Sequence, residues 1–232
     1  MQPESPPEIL PRPAWTLPLD IIIAPRRAYL TIAATRAWWP GVAIALAATI
    51  AYTALVLPAF VAYAAAQSRG ATLVARPWSI EAWLPFVVGT LWVVLGWSIV
   101  ASLFANMTIG GAPERRSEYW GLYRTYFALA ATAAIPSALF TVAQGLAVAA
   151  HPAAGYHSLG QILNALPLTL ALLGSPTNPR EMGFLSAFDP TTLWGIVLVA
   201  YGAHAIGGIK LVWALIVPCT VTLAIAFLSI LS

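Results

Sequence analysis

Long apolar runs separated by short polar segments make up most of this chain. Five runs cover about residues 41–66, 84–110, 122–150, 190–209 and 211–231, and Arg124 is the only formally charged residue in them. A helix rises about 1.5 Å per residue, so a run of about 20 residues crosses a hydrocarbon core of roughly 30 Å. The pattern therefore predicts an all-α polytopic integral membrane protein with five transmembrane helices.

The last two runs form the clearest unit, and the residues at their ends predict a helical hairpin. Asp189 is suited to cap the first helix and Pro190 suits its first turn. Gly207, Gly208 and Lys210 mark a tight turn before the final apolar run. We expect two antiparallel membrane helices here.

Composition supports the same class of protein. Hydrophobic residues make up 60% of the 232 residues and charged residues only 8%, against a usual charged share of about 25%. A soluble domain of this size could not bury so much apolar surface. Cys219 is the single cysteine, which excludes an internal disulfide framework and a paired-cysteine redox motif.

The N-terminal region divides into two parts. Residues 1–24 are interpreted as a Pro-rich cytosolic tail, of which residues 1–19 are expected to be disordered or extended, without a cleavable signal peptide. From Pro25 to Trp39 the spacing predicts an interfacial helix. Its candidate lipid head-group contacts are Arg26, Arg27, Arg36, Trp38 and Trp39. Alternatively, these arginines only fix the topology.

Charge asymmetry predicts the orientation. With five membrane helices the N-terminal side would hold Arg12, Arg26, Arg27, Arg36, Arg115, Arg116, Arg124 and Lys210, and the other side Arg69, Arg76 and Arg180. The excess places the N-terminus in the cytosol. Residues 158–174 are apolar but short and interrupted by Gln161, Asn164 and Pro167, which favours an interfacial or re-entrant segment. A sixth crossing would leave this count of charges on the two sides unchanged. The prediction of five crossings therefore rests on the short length of residues 158–174 and on resemblance to a membrane-protein family.

Several short signatures resemble those of one membrane-protein family. Asp189-Pro190, Leu193-Trp194, Gly202, the Gly207 to Lys210 turn and Pro218 follow one another in order, and Ala24 to Tyr29 and Ile135-Pro136 agree upstream. This order resembles the YIP family, the Ypt/Rab-interacting membrane proteins and their bacterial relatives, over roughly residues 20–232. The resemblance implies a non-enzymatic multi-span protein. Ala-rich helices and short loops resemble the bacterial branch, which implies the bacterial inner (cytoplasmic) membrane.

Burying a polar residue inside a membrane helix costs free energy, so each such residue is a candidate for a functional role. Asn106 and His204 lie at matching depths near the predicted cytosolic ends of their helices, and Tyr126 lies near that end of the third. Together they are a candidate polar intramembrane site. The alternative is an ordinary interhelical hydrogen bond worth about 0.6 kcal/mol.

Other chemistry has weak support in the sequence. His151, His157, Glu181 and Asp189 share the outer loop, but a histidine spacing of six is not a helical metal-ligand spacing. No Ser-His-Asp set, phosphate-binding glycine loop or intramembrane acid is present. We therefore expect no catalytic residues, no metal and no cofactor, and no nucleic-acid partner because no clustered basic face is present.

These observations predict a non-enzymatic membrane protein that acts as a scaffold or accessory subunit. It would work through helix packing and through binding of membrane lipids, another membrane protein or a second copy of itself. The alternative is a component of a transporter or channel for a small solute or a lipid. The polar residues within the runs are few, which ranks this alternative second.

Overall fold

The computed structural model describes residues 11–67, 80–110, 113–163, 165–166, 184–185 and 188–231, and these ranges contain helices and no strand. The helices are α1 (Leu17–Ile23), α2 (Pro25–Thr35), α3 (Trp39–Gln67), α4 (Ile80–Ile109), α5 (Tyr119–Ala133), α6 (Ile135–Ala149), α7 (Leu159–Leu163), α8 (Pro190–Gly207) and α9 (Leu211–Leu231). Short 3₁₀ turns precede α1, α5 and α7. The all-α prediction is confirmed for this part of the chain.

Within the described residues, three helical stretches are long and apolar enough to cross a membrane, namely Trp39–Ala66, Val87–Ile109 and Glu114–Ala149. Their outward surfaces carry large hydrophobic side chains that are about half exposed or more, such as Ile50, Leu91 and Leu146. A protein in water would bury such surfaces, whereas hydrocarbon solvates them. The structure therefore has the character of a membrane protein.

The predicted hairpin at the C-terminus is present as α8 and α9. The Asp189 carboxylate caps α8 by accepting hydrogen bonds from Thr191 N at 2.8 Å and Thr192 N at 3.0 Å, and Pro190 opens the helix. Gly208 ends α8 with a φ of 65°, a left-handed conformation that glycine adopts without steric cost. The caps predicted from the sequence are confirmed.

The third apolar run is broken where one continuous helix was expected. Helix α5 ends at Ala133 and α6 begins at Ile135, with Ala134 between them. Pro136 is the cause, because its ring has no N–H to donate to the carbonyl four residues earlier and crowds that turn. The small residues around the break let other helices approach.

Helix α5 is central to the packing, since α1, α2, α3, α4 and α8 all contact it. Gly41 of α3 packs so closely that a Cβ there would lie 2.5 Å from the backbone carbonyl of Ala131. Helix α3 continues along α6, and α9 lies between α4 and α8. Small residues at these crossings supply the close van der Waals contact that holds helices together in lipid.

The expectation of a disordered or extended tail over residues 1–19 is wrong for residues 14–19, which belong to a helical segment that runs from 14 to 23. This segment is helical, and Leu17 and Ile21 are fully buried in the main core. Their spacing of four places both on one face of α1. The buried Asp20 accepts a hydrogen bond from Thr16 Oγ1 at 2.7 Å and pairs with Arg12 at 3.6 Å. Residues 1–10 lie outside the described ranges.

The expected helix over residues 25–39 is shorter than predicted. Helix α2 ends at Thr35, and its inner face is buried rather than lying free on the surface. The hydroxyl of Tyr29 donates a hydrogen bond of 3.0 Å to the carbonyl of Leu198 in α8. Burial raises the pKa of Tyr29 to about 12. Of the predicted interfacial or re-entrant segment, residues 159–163 form α7, whereas residues 164 and 167–174 lie outside the described ranges.

Candidate functional site

The predicted polar site places its three residues in different environments. Asn106 is exposed and donates to the carbonyl of Ser102 on its own helix at 2.8 Å. His204 is also exposed, and its Nδ1 donates to the carbonyl of Ile209 at 2.8 Å. Among the described hydrogen bonds, neither residue reaches the other. Asn106 instead bonds a carbonyl within its own helix, and His204 bonds a carbonyl in the turn that follows α8.

Among the described hydrogen bonds, Tyr126 is the residue of the predicted polar site that connects two helices. It is fully buried, and its hydroxyl lies 2.6 Å from Thr108 Oγ1 of α4. Gly207, the last residue of α8, closes the other side, where a Cβ would lie 2.8 Å from Thr108 Oγ1 and 3.2 Å from Tyr126 Cζ. We call Thr108, Tyr126 and Gly207 the three-helix tie. No sequence pattern pointed to Thr108, and Gly207 was interpreted only as a turn residue.

A larger feature lies between α4, the α5–α6 junction, α8 and α9. It is a cavity of about 480 Å³, here called the central cavity, and its walls include Gly96, Ala134, Gly195 and Pro218. Ligand sites in proteins are mostly apolar cavities of roughly 300–1,000 Å³, and helical bundles form them between helices. The central cavity is therefore the candidate binding site.

Helix irregularities and missing side chains produce this space. Ala134 occupies the break between α5 and α6, and Pro218 interrupts the hydrogen bonding of α9. Gly195 faces the break so closely that a Cβ there would lie 3.1 Å from the Ala133 carbonyl oxygen. On α4, Gly96 lets the side chain of Ile225 of α9 approach closely, since a Cβ there would lie 2.6 Å from Ile225 Cδ1. The small residues Ala130 and Ala134 of the third apolar run both line the cavity.

The polar groups around the central cavity are hydroxyls and one indole, from Ser137, Thr192, Thr222 and Trp97. Thr192 Oγ1 is already committed, since it donates to Asp189 Oδ2 at 2.6 Å. The Thr191 hydroxyl donates to the Asp189 carboxylate, and its Oγ1 lies 3.4 Å from Ser137 Oγ. No Asp, Glu, Lys, Arg or His is among the described residues that line the cavity. The cavity can hold an apolar ligand, and its described lining offers no group for acid–base catalysis at neutral pH.

A second cavity of about 230 Å³, here called the side cavity, lies between α3 and α4. Its walls include Thr49 and Gly89, and it shares Val93 and Trp97 with the central cavity. Trp97 is held by an edge-on contact with Phe127, with ring centroids 6.2 Å apart. The two cavities therefore flank α4 with one indole in both walls.

The candidate head-group contacts are at the surface but do not form one cluster. Arg26, Arg36, Trp38 and Trp39 are exposed and Arg27 is half-buried. Trp38 also contacts Phe127 edge-on, with ring centroids 6.4 Å apart. The guanidinium of Arg36 lies over Gly121 of α5, an approach that sequence spacing could not reveal.

The histidines and acids of the outer loop do not come together as a metal site in the part of the chain that the structure describes. Within the described ranges no group of three or more His, Cys, Asp or Glu side chains is placed to hold an ion. His151 Nδ1 donates to the carbonyl of Ala147 at 3.0 Å, and the buried Asp189 serves as the α8 cap. Glu181 lies outside the described residues.

The fold and cavities can now be compared with known proteins. Comparison with models of protein families, with curated proteins and with solved structures finds no match to this chain. The YIP-family resemblance therefore stays a prediction that rests on the short signatures of the sequence.

Proposed function

We propose that the chain is a five-span membrane protein that acts as a non-enzymatic scaffold or accessory subunit. The crossing segments would be α3, α4, the α5–α6 pair, α8 and α9. Its setting would be the bacterial inner membrane, with the N-terminus in the cytosol. It would hold its neighbours, which are membrane lipids and another membrane protein or a second copy of itself, by packing and binding.

Helix length and packing support the assignment of α8 and α9 as membrane helices. At about 1.5 Å per residue, the 18 residues of α8 extend about 27 Å and the 21 residues of α9 about 32 Å. Helix α8 packs against both α5 and α6, and α9 packs against α4. Both therefore lie alongside helices that are long and apolar enough to cross a membrane.

The central cavity is the observation that carries the binding role. A methylene group has about the volume of one water molecule in the liquid, roughly 30 Å³, so about 480 Å³ accommodates a chain of a dozen or more methylenes. A helix about 10 Å across that rises about 1.5 Å per residue would fill the same space with about one turn. The cavity therefore fits a hydrocarbon chain better than a partner helix.

A photoactivatable phospholipid tests this proposal in native membranes. Irradiation should attach the lipid tail to α4 and α8 beside the central cavity. Ala134→Phe places a ring at the cavity wall and should reduce this labelling several-fold. The matched variant is Ala47→Phe, since Ala47 is an exposed residue of α3 and lines neither cavity. It should leave the labelling unchanged.

Two outcomes would contradict the proposal. One is labelling of α4 and α8 that is equal in wild type and Ala134→Phe, which would indicate that the lipid lies outside the cavity. The other is release of the chain from membranes by alkaline carbonate, which removes peripheral proteins but leaves membrane-spanning ones in the pellet.

A further inference from the structure

Arg36 is the most unusual residue in the described backbone. It has a φ of 52°, and among the described residues it is the only non-glycine with a positive φ. The residue ends α2, where its N–H donates to the carbonyl of Ile32 at 2.8 Å. Glycine or asparagine is the usual choice at such a left-handed helix end. An arginine held in this conformation suggests that its side chain is needed there.

The side chain of Arg36 lies in a place that only a glycine leaves open. Its Nη1 and Cζ atoms are 3.1 and 3.4 Å from the position that a Cβ of Gly121 would take. The guanidinium therefore rests on the first turns of α5 while Arg36 remains exposed. No carboxylate in the described residues lies within 4 Å of it, and no described hydrogen bond uses its guanidinium. Its charge is positioned but not neutralised.

Exposed tryptophans adjoin Arg36 and Gly121 in the chain. Trp38 and Trp39 follow directly in the chain and are 47% and 52% exposed, and Trp120, next to Gly121, is 67% exposed. Tryptophan prefers the boundary between hydrocarbon and head groups. The first apolar stretch long enough to cross a membrane begins at Trp39, three residues after Arg36. This places the free guanidinium at the depth of lipid phosphates.

We propose that Arg36, supported by Gly121 and flanked by Trp38 and Trp120, binds the phosphate of an anionic membrane phospholipid. A planar guanidinium offers paired N–H donors that match two phosphate oxygens, and the indoles fit the acyl boundary beside it. A soluble phosphate would use the same donors but would gain nothing from the exposed indoles. The inference deepens the lipid-binding part of the proposed function and depends on membrane insertion, but it does not involve the central cavity.

The test measures lipid preference on the purified full chain in neutral detergent. Energy transfer from the protein's tryptophans to dansyl-labelled phosphatidylglycerol or phosphatidylcholine reports binding of each lipid. Arg36→Gly removes the guanidinium and relieves the left-handed backbone, so the protein should remain folded. The preference for phosphatidylglycerol should fall about five-fold, the factor expected from one interfacial arginine. Arg36→Lys keeps the charge without the planar donors and should lose less.

Matched variants make the result decisive. Arg116 is exposed in the turn before α5 and has no described ion pair, so Arg116→Gln should leave the preference unchanged. Gly121→Leu keeps every charge but takes the space under the guanidinium and should reduce the preference as Arg36→Gly does. An unchanged preference in Arg36→Gly, or an equal fall in Arg116→Gln, would overturn the site. Displacement of the lipid by glycerol phosphate alone would assign the site to a soluble phosphate and overturn the lipid proposal.

Failure of this site can be distinguished from failure of the proposed function. If the chain were not membrane-embedded, carbonate would extract it and the wild type would bind neither lipid. If only the Arg36 site were wrong, the wild type would stay in the membrane and label at the central cavity, and Arg36→Gly would behave like the wild type.

Discussion

Substitution of Gly207 by alanine should destabilise the protein through the three-helix tie. A single added Cβ would lie well inside van der Waals contact of the Tyr126 hydroxyl and 2.8 Å from Thr108 Oγ1. Tyr126 is fully buried and its ring is 5.5 Å from that of Phe104, so it has little room to withdraw. The hydrogen bond between Thr108 and Tyr126 would be displaced.

The expected loss follows from three contributions. Overpacking a filled site costs about 1–3 kcal/mol, and a lost interhelical hydrogen bond in a membrane protein costs about 0.6 kcal/mol. Replacing glycine by alanine in a helix returns at most about 1 kcal/mol, and less at Gly207 because it is the last residue of α8. The free energy of unfolding should therefore fall by about 2 kcal/mol.

Reversible unfolding in mixed micelles of dodecyl maltoside and dodecyl sulfate measures this change. Gly89→Ala is the control, since Gly89 is in α4 and a Cβ there would meet no atom within 4 Å. Tyr126→Phe removes the nearest oxygen, so Gly207→Ala should cost at least about 1 kcal/mol less in that background. Equal stabilities of Gly207→Ala and Gly89→Ala, or no relief in the double variant, would refute the close packing of the tie.

Three further substitutions test other parts of the fold. Gly41→Ala should destabilise the fold more than Gly207→Ala, because its Cβ would lie 2.5 Å from the backbone of Ala131, which cannot rotate away. Thermal melting in detergent measures this loss, and a melting temperature equal to that of the wild type would contradict it. Asp189→Ala should cost about 1 kcal/mol by removing the α8 cap, and Asp189→Asn should recover most of it. Burial raises the folded-state pKa of Tyr29 to about 12, above the unfolded value of about 10, so its stabilising contribution is complete below pH 10 and is lost between pH 10 and 12. Tyr29→Phe should therefore flatten the fall of the melting temperature over that range, and parallel curves for the two proteins would disprove the effect.

The helices themselves were largely readable from the sequence. The lengths of the apolar runs predicted helix bounds close to those observed. The capping preferences of Asp189, Pro190 and Gly208 predicted the two ends of α8. These are local effects, in which a side chain acts on backbone groups within a few residues of itself. The sequence predicts such effects well because no tertiary contact is needed to produce them.

The tie and the central cavity could not be predicted because they depend on how helices cross. Asn106 and His204 were expected to form the polar site, with Tyr126 beside them, yet it is Tyr126 that points into the packing and meets Thr108. Likewise Gly195 lies in the predicted fourth membrane helix, and only the structure places it against Ala133. The burial of α1 was missed for a related reason, since prolines before Leu17 suggested disorder while its apolar face found a partner in the core.

The size of the central cavity bears on its contents. The central cavity has about 480 Å³, its lining is mostly apolar, and it is partly open at the surface of the helices. Hydrocarbon chains surround a membrane protein at high concentration and can fill such a space with van der Waals contacts without breaking any hydrogen bond. A lipid chain beside Gly96, Ala134 and Gly195 would therefore add packing contacts to α4, α8 and the α5–α6 junction, so the proposed binding role would also stabilise the fold.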